Sequence, residues 1–171
     1  VGQSADGLRI LLDGRPVKTP AKNLLALPTR ALAEAIAAEW RRQDETVDPL
    51  SMPLLRLADT VIDGVAANRA AVIAAILRFG ENDLLCYRAH QPRELAALQA
   101  QGWDPALDWA RSHYGVTLHV AEGLAHVEQP PQTLVAFGAA LAAFDSFALG
   151  ALHVAASVTG LIQVCGCCRK S

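Results

Sequence analysis

Residues 8–40 read "LRILLDGRPVKTPAKNLLALPTRALAEAIAAEW", and the hydrophobic period changes inside this stretch. Before Pro28 the apolar residues fall in short runs separated by turn signals. Asp13-Gly14 is a pair suited to the positive φ angles of a tight primed turn, so the flanking runs form a hairpin. Pro16 stands at the start of the second run, where a missing N–H costs least. After the turn at "AKN", "LLAL" offers a third short strand, and a small antiparallel meander is expected. From Thr29 onward the spacing lengthens. Leu32, Ile36 and Trp40 recur every four residues, Arg30, Glu34, Arg41 and Arg42 fall mostly elsewhere, and Thr29 suits the N-cap. This predicts an amphipathic helix within residues 28–45.

Downstream the chain reads as helical. "TVDPLSMP" (46–53) holds two prolines and forms a connector, with a domain boundary expected near residue 52. Next, "PLLRLADTVIDGV" places Leu54, Leu57, Ala58, Val61, Ile62 and Val65 on one stripe. "NRAAVIAAILRFG" follows, with Asn68 as a cap and Gly80 as a stop. "PRELAALQAQG" and "DPALDWARSHYG" read as two helices, each with proline near its first turn and glycine at its end. "VTLHV" (116–120) is a lone strand or a loop. The apolar stretch from Leu134 to Val164 forms two more helices with a break near Asp145. The expected class is α+β: a small antiparallel β-containing domain (1–52) followed by a mainly α-helical, orthogonal bundle-like domain (53–171).

Composition narrows the function. The 171 residues are 52% hydrophobic with a formal net charge of −2, enough for a sizeable core. No Lys/Arg run provides a footprint for nucleic acid or an anionic membrane. Asp145, His153 and Gln163 interrupt the apolar carboxyl-terminal region, which argues for buried helices over a membrane span. The sequence opens at Val1 on polar residues rather than on a basic-then-apolar leader. Four cysteines, Cys86 and the cluster Cys165, Cys167 and Cys168, are too few and too lopsided for a disulfide framework, so a reducing compartment is expected.

Candidate chemistry is sparse. "ENDLLCYRAH" (81–90) gathers a cysteine, a tyrosine, an arginine and a histidine. A nucleophilic cysteine needs a lowered pKa and some exposure, whereas Cys86 follows two leucines inside an apolar run. The terminal "CGCC" lacks the second spaced ligand pair of a four-coordinate metal site, and His113, His119, His126 and His153 are scattered. Phosphate-loop, dinucleotide and serine-elbow signatures are missing from the sequence. Among the carboxylates, Asp104 before Pro105 reads as a helix cap. No catalytic, metal or cofactor residue is therefore assigned. What remains is an aromatic and arginine set, of the residue types enriched at binding hot spots: Trp40, Tyr87, Arg88, Trp103, Trp109 and Tyr114.

Five segments occur in order: "LLDGRPVKTPAKNLLALPTRALAEAIAAEW", "VDPLSMPLLRLADTVID", "NDLLCYRA", "WDPALDWA" and "FALGALHVAASVTG". Over about residues 7 to 160 the chain closely resembles the ATP synthase assembly chaperone family that binds the alpha subunit of the catalytic head, found in mitochondria and alpha-proteobacteria. "DGRPVKTP" is a moderately specific signal by itself, and the ordered set is a strong one. The resemblance implies a β-containing amino-terminal domain followed by a helical one, and no enzymatic activity or cofactor. It also implies an apolar surface that shields free alpha subunit until beta subunits replace it.

On that basis partner contacts are expected at Leu84, Tyr87, Arg88, Trp103 and Trp109, on a monomer in the bacterial cytoplasm, or the mitochondrial matrix in a eukaryote. Asp83 and Arg88 are expected to tie the 81–90 segment to its neighbours. The strand that precedes the hairpin in family members is missing or replaced by "VGQSAD". After Gly160, "LIQVCGCCRKS" departs from the acidic, tryptophan-containing ending of the family. The alternative reading is a small hydrolase or transferase using Cys86 with a spatially close histidine.

Overall fold

The hairpin around Asp13-Gly14 forms as its turn chemistry dictates. In the computed structural model, which describes residues 2–4 and 7–162, Asp13 and Gly14 both adopt positive φ (49° and 77°). They join β3 (Leu11–Leu12) to β4 (Arg15–Pro16) in antiparallel register, with Leu12 opposite Arg15. β2 (Gly7–Arg9) precedes this hairpin and β5 (Ala26–Leu27) follows it. β5 pairs with β2 rather than continuing a simple meander: Leu24 makes a single antiparallel bridge to Lys18, and Ala26 and Leu27 then pair with β2. On the other side of β2 lies β1 (Gly2–Ser4), giving the order β1-β2-β5. The upstream strand, expected to be missing or replaced, is thus supplied by polar residues. Strand pairing needs only their backbone groups.

The strands pack on α1 (Arg30–Arg41), which Thr29 caps by accepting the Leu32 N–H at 3.2 Å. Ala33 and Ile36 are buried beside Leu25 and Leu27 in this unit's core, and so is Glu39. The four-residue spacing foretold Ile36 but not Glu39, a charged residue on the buried face. Its two carboxylate oxygens accept the N–H groups of Leu54 and Leu55, each at 2.9 Å, at the start of α2 (Pro53–Thr60). Those N–H groups have no partner within the helix, and the helix dipole adds to the attraction. The connector before α2 is a 3-10 turn, Pro49–Ser51, capped by Asp48, and it ends on the buried Met52.

α2 widens into a π-type turn, Val61–Val65, which carries Asp63. This carboxylate accepts three hydrogen bonds from the strand region: Thr19 Oγ1 (2.6 Å), the Ala21 N–H (3.0 Å) and Asn23 Nδ2 (2.9 Å). Helix α2 therefore belongs with the strands and α1. By contacts the chain divides after Arg69, whereas the sequence reading sets the boundary near residue 52. The difference arises because Glu39 and Asp63 bind α2 and its π-type turn to segments that precede them by many residues. Asn68 donates its side-chain amide to the Gly64 carbonyl and so serves the preceding turn.

The second unit is helical. α3 (Arg69–Glu81) runs through Gly80 instead of stopping there. A Cβ on Gly80 would stand 3.0 Å from Ile162 Cδ1, so this glycine permits close approach. The two helices expected between residues 92 and 115 are one continuous helix, α4 (Arg93–Tyr114), with Pro105 inside it. Pro105 lacks the N–H that would reach the carbonyl of Gln101, four residues back. The helix nevertheless continues on the burial of Leu107 and Ala110, ending at Gly115 in the left-handed conformation (φ 67°). α5 (Pro131–Ala142) and α6 (Ser146–Thr159) are separated near Asp145 as expected, and Asp145 caps α6 through the Ala148 N–H. Ile76, Phe137, Leu141, Leu149, Leu152 and Ile162 fill the core of this unit. Residues 116–120 are loop, with Val116 and Leu118 buried, and β7 (Ala121–Glu122) lies just beyond, parallel to β6 (Tyr87–Arg88). The fold is α+β. Among the described residues no single helix is long and apolar enough to cross a membrane.

Candidate functional site

The "ENDLLCYRAH" segment divides into an inner and an outer half. Asp83, fully buried, starts the inner half. One carboxylate oxygen caps the 3-10 turn Leu84–Cys86 through the Leu85 N–H (2.9 Å), and the other accepts the Ile162 N–H (2.9 Å) beyond the end of α6. Leu85 and Cys86 point into the core. Burial, reinforced by the negative charge of Asp83 and only partly offset by Arg88, pushes the Cys86 thiol up to about 12. A side chain with no exposure and so little thiolate at neutral pH meets neither condition for a nucleophile. Packing accounts for it.

The outer half lines a groove. Leu84, Tyr87, Arg88, Ala89 and His90 form one wall, Gln99 and Trp103 of α4 another, and Gly123 and Leu124 a third. Its volume is about 390 Å³. The surfaces it offers are mostly apolar: Leu84 is 54% exposed and Leu124, just past Gly123 (φ 81°), is 97% exposed. Leu95 and Leu98, exposed on the preceding turns of α4, extend the apolar character along that helix. Two exposed leucines lining one concavity beside Tyr87 and Trp103 differ from the scattered apolar residues of an ordinary surface.

Arg88 sits at the base, only 8% exposed. Its guanidinium donates to the Leu85 carbonyl and to Asp104 Oδ1 (2.7 Å), and it stands 5.0 Å from the centroid of the Trp103 ring. Asp104, expected to cap a helix, is instead the ion-pair partner of Arg88. It lies inside the continuous α4, where there is no helix start to cap. Two glutamines close the neighbouring backbone. The Gln99 side-chain carbonyl accepts the Ala89 N–H (2.7 Å), and the buried Gln129 amide both accepts from the His119 N–H and donates to the His119 carbonyl (2.9 and 3.0 Å). At the rim, His90 and Glu122 are exposed and 3.4 Å apart.

Of the five residues expected at a partner surface, Leu84, Tyr87, Arg88 and Trp103 come together here. Trp109 does not. It stacks on His113 (4.7 Å between centroids) and meets Tyr114 edge-on, and Tyr114 in turn meets Phe137 edge-on. Gln99 and Leu124 escaped the sequence reading. "AEGLAH" shows a glycine turn, but nothing in it reveals that the following leucine faces water.

A more polar depression of about 320 Å³ lies around Glu81, Asn82, His126 and Glu128, and none of the five residues lines it. Its His126 is held by Asn82 at 2.9 Å. Among the described residues no group of three or more His, Cys, Asp or Glu side chains is placed to hold a metal ion. The terminal cluster Cys165, Cys167 and Cys168 lies outside the described residues.

Comparison with known proteins is consistent with this architecture. The family model described as "ATP12 chaperone protein" matches residues 1–111. A mutant of Paracoccus denitrificans Atp12p superposes with a TM-score of 0.90 at 41% identity, covering 96% of this chain and 70% of that one. The crystal structure of Atp12 from the same organism gives 0.89, with the same identity and coverage. The Agrobacterium tumefaciens protein Atu1473 gives 0.85 at 45% identity, over 93% of this chain and 60% of its own. Matched over more than half its length by the family model, and over nearly all of it by solved structures at more than 40% identity, the chain belongs to the ATP12 chaperone family.

Proposed function

We propose that this protein is an assembly chaperone that holds the free alpha subunit of the F-type ATP synthase catalytic head, with the groove of the helical unit as its holding surface. Membership of a chaperone family supports the class of activity. The observation that carries the location is the exposure of Leu84 and Leu124, from separate segments, in a concavity that also presents Trp103 and Tyr87. A ring subunit awaiting its neighbours exposes apolar interface, and apolar side chains set around an aromatic base can cover part of it without nucleotide or metal. Release follows when the beta subunit offers a better-packed contact, a competition between affinities. No bond is made or broken, and the chaperone acts as a monomer in the bacterial cytoplasm.

Co-expression with the alpha subunit tests this reading. Wild-type protein keeps alpha soluble and co-purifies with it, whereas Trp103→Ala and Leu124→Ala leave it aggregating. Unchanged solubility with the double variant would count against the groove. The burial of Cys86 gives the hydrolase alternative no structural support.

A further inference from the structure

We propose that Arg88 acts as a positioning residue for client binding rather than as a contact, setting the distance between Trp103 and the turn that carries Leu124. The inference rests on the groove being the client surface. Three walls meet at this residue. Its guanidinium bonds the Leu85 carbonyl of the inner half and Asp104 on α4, and lies over Trp103 of the same helix. Its backbone carbonyl accepts the Gly123 N–H at 2.8 Å, on the turn immediately before Leu124. With 8% exposure, little of the side chain is left to touch a client. The guanidinium bonds two acceptors through separate nitrogens while its central carbon stands over the indole ring. A lysine ammonium keeps the charge but not this geometry. The ion pair with Asp104 also neutralises the base of the groove, which therefore suits an uncharged apolar segment of the client better than an acidic one.

The test uses the full chain carrying Trp40→Phe and Trp109→Phe, so that Trp103 is the one remaining tryptophan of three. In this background Arg88→Lys, Asp104→Asn and their combination are compared for Trp103 emission and acrylamide quenching in the free protein, for Kd toward purified ATP synthase alpha subunit, and for Tm. Asp104 is half exposed, so its variant keeps the fold even if substitution of Arg88 does not. Arg88→Lys and Asp104→Asn are each expected to weaken binding roughly tenfold and to move the Trp103 signal, because the first loses the fork that holds both acceptors and the second replaces the carboxylate by a weaker, neutral acceptor. The double variant is expected to be no worse than Arg88→Lys, since the two residues act as one unit.

Wild-type affinity and emission in Arg88→Lys would overturn the proposal. Multiplying losses in the double variant would do so too, because each residue would then touch the client by itself. Leu124→Ala separates the two levels. If it weakens binding while Arg88→Lys does not, only the positioning role falls. If Leu124→Ala and Trp103→Ala both bind as wild type, the groove reading falls and this inference with it.

Discussion

Asp63 in the first unit and Arg88 in the second each use one charged side chain to join separate segments of the chain, yet they leave different surfaces. Asp63 gathers three donors from residues 19–23 and surrounds itself with polar groups. Arg88 turns its charge inward onto Leu85 and Asp104, and the groove above it is lined by leucines and aromatic rings. A half-exposed polar junction of the first kind is a scaffold. A buried charge beneath exposed leucines leaves apolar surface for another molecule. The same device, a charge shared between a backbone group and a side chain, thus serves shape in one unit and presentation in the other.

The comparison breaks most easily at Asp83, the anchor beneath the groove. Replacement by alanine strands the N–H groups of Leu85 and Ile162 inside the core and is expected to cost about 3–5 kcal/mol, read from urea unfolding at neutral pH. Next in size is the separation of stability from binding at the groove. Leu124→Ala is expected to leave unfolding within about 0.5 kcal/mol of wild type, as for an exposed site. The same change should weaken alpha-subunit capture by about tenfold or more, as at a hot spot. Equal losses in both measurements would make Leu124 a packing residue and erase the contrast with the first unit.

Acid sharpens the contrast from the scaffold side. Hydrogen bonds from Thr19 and Asn23 hold the Asp63 carboxyl below its ordinary value. Its stabilising contribution is therefore complete above that ordinary value and disappears as pH falls through the lowered one. Asp63→Asn is expected to lower stability at pH 7 and to flatten the acid limb. Desolvation, with the charge of Asp63 next, raises the Asp59 carboxyl, whose buried Oδ1 lacks a hydrogen-bond partner among the described residues. The sign reverses there: the ionised form destabilises above the raised value and the penalty vanishes below the ordinary one. Asp59→Asn should gain stability at pH 7 and match wild type in acid, both read by thermal melts across pH. The smallest signal is chemical. Peptide mapping after iodoacetamide treatment should find Cys86 unmodified in native protein and labelled only after denaturation. Rapid native labelling would reopen thiol chemistry.

Local features were legible and long-range ones were not. Asp13-Gly14 encodes its turn in two residues, and Thr29, Asp145 and Gly115 mark helix ends through bonds reaching at most four positions. Punctuation failed where tertiary partners overrode it. Gly102 and Asp104-Pro105 look like a helix end followed by a helix start, but α4 passes through them with Asp104 bonded to Arg88. Glu39 sits on a buried face because the start of α2 needs its oxygens, a demand that arises fifteen residues later. At the groove, residue type alone picked out Tyr87, Arg88 and Trp103. The expected tie of Arg88 to neighbouring segments is its bond to Asp104, whereas Leu124 was overlooked, because periodicity reports on helix and strand faces and says nothing about the tip of a turn.

The glutamine side chains of Gln99, in the groove, and Gln129, in the polar depression, have a consequence for how a sticky surface stays manageable. Gln129 occupies both the donor and the acceptor of His119, and Gln99 takes the donor of Ala89, so the short parallel ladder ends in side-chain amides at these points instead of offering bare main chain there. A second copy, or an unfolded chain, finds no free template at these positions on which to add a strand. Grip is thereby confined to hydrocarbon and ring faces, which let go when something fits better, whereas a zipped-on strand would hold fast.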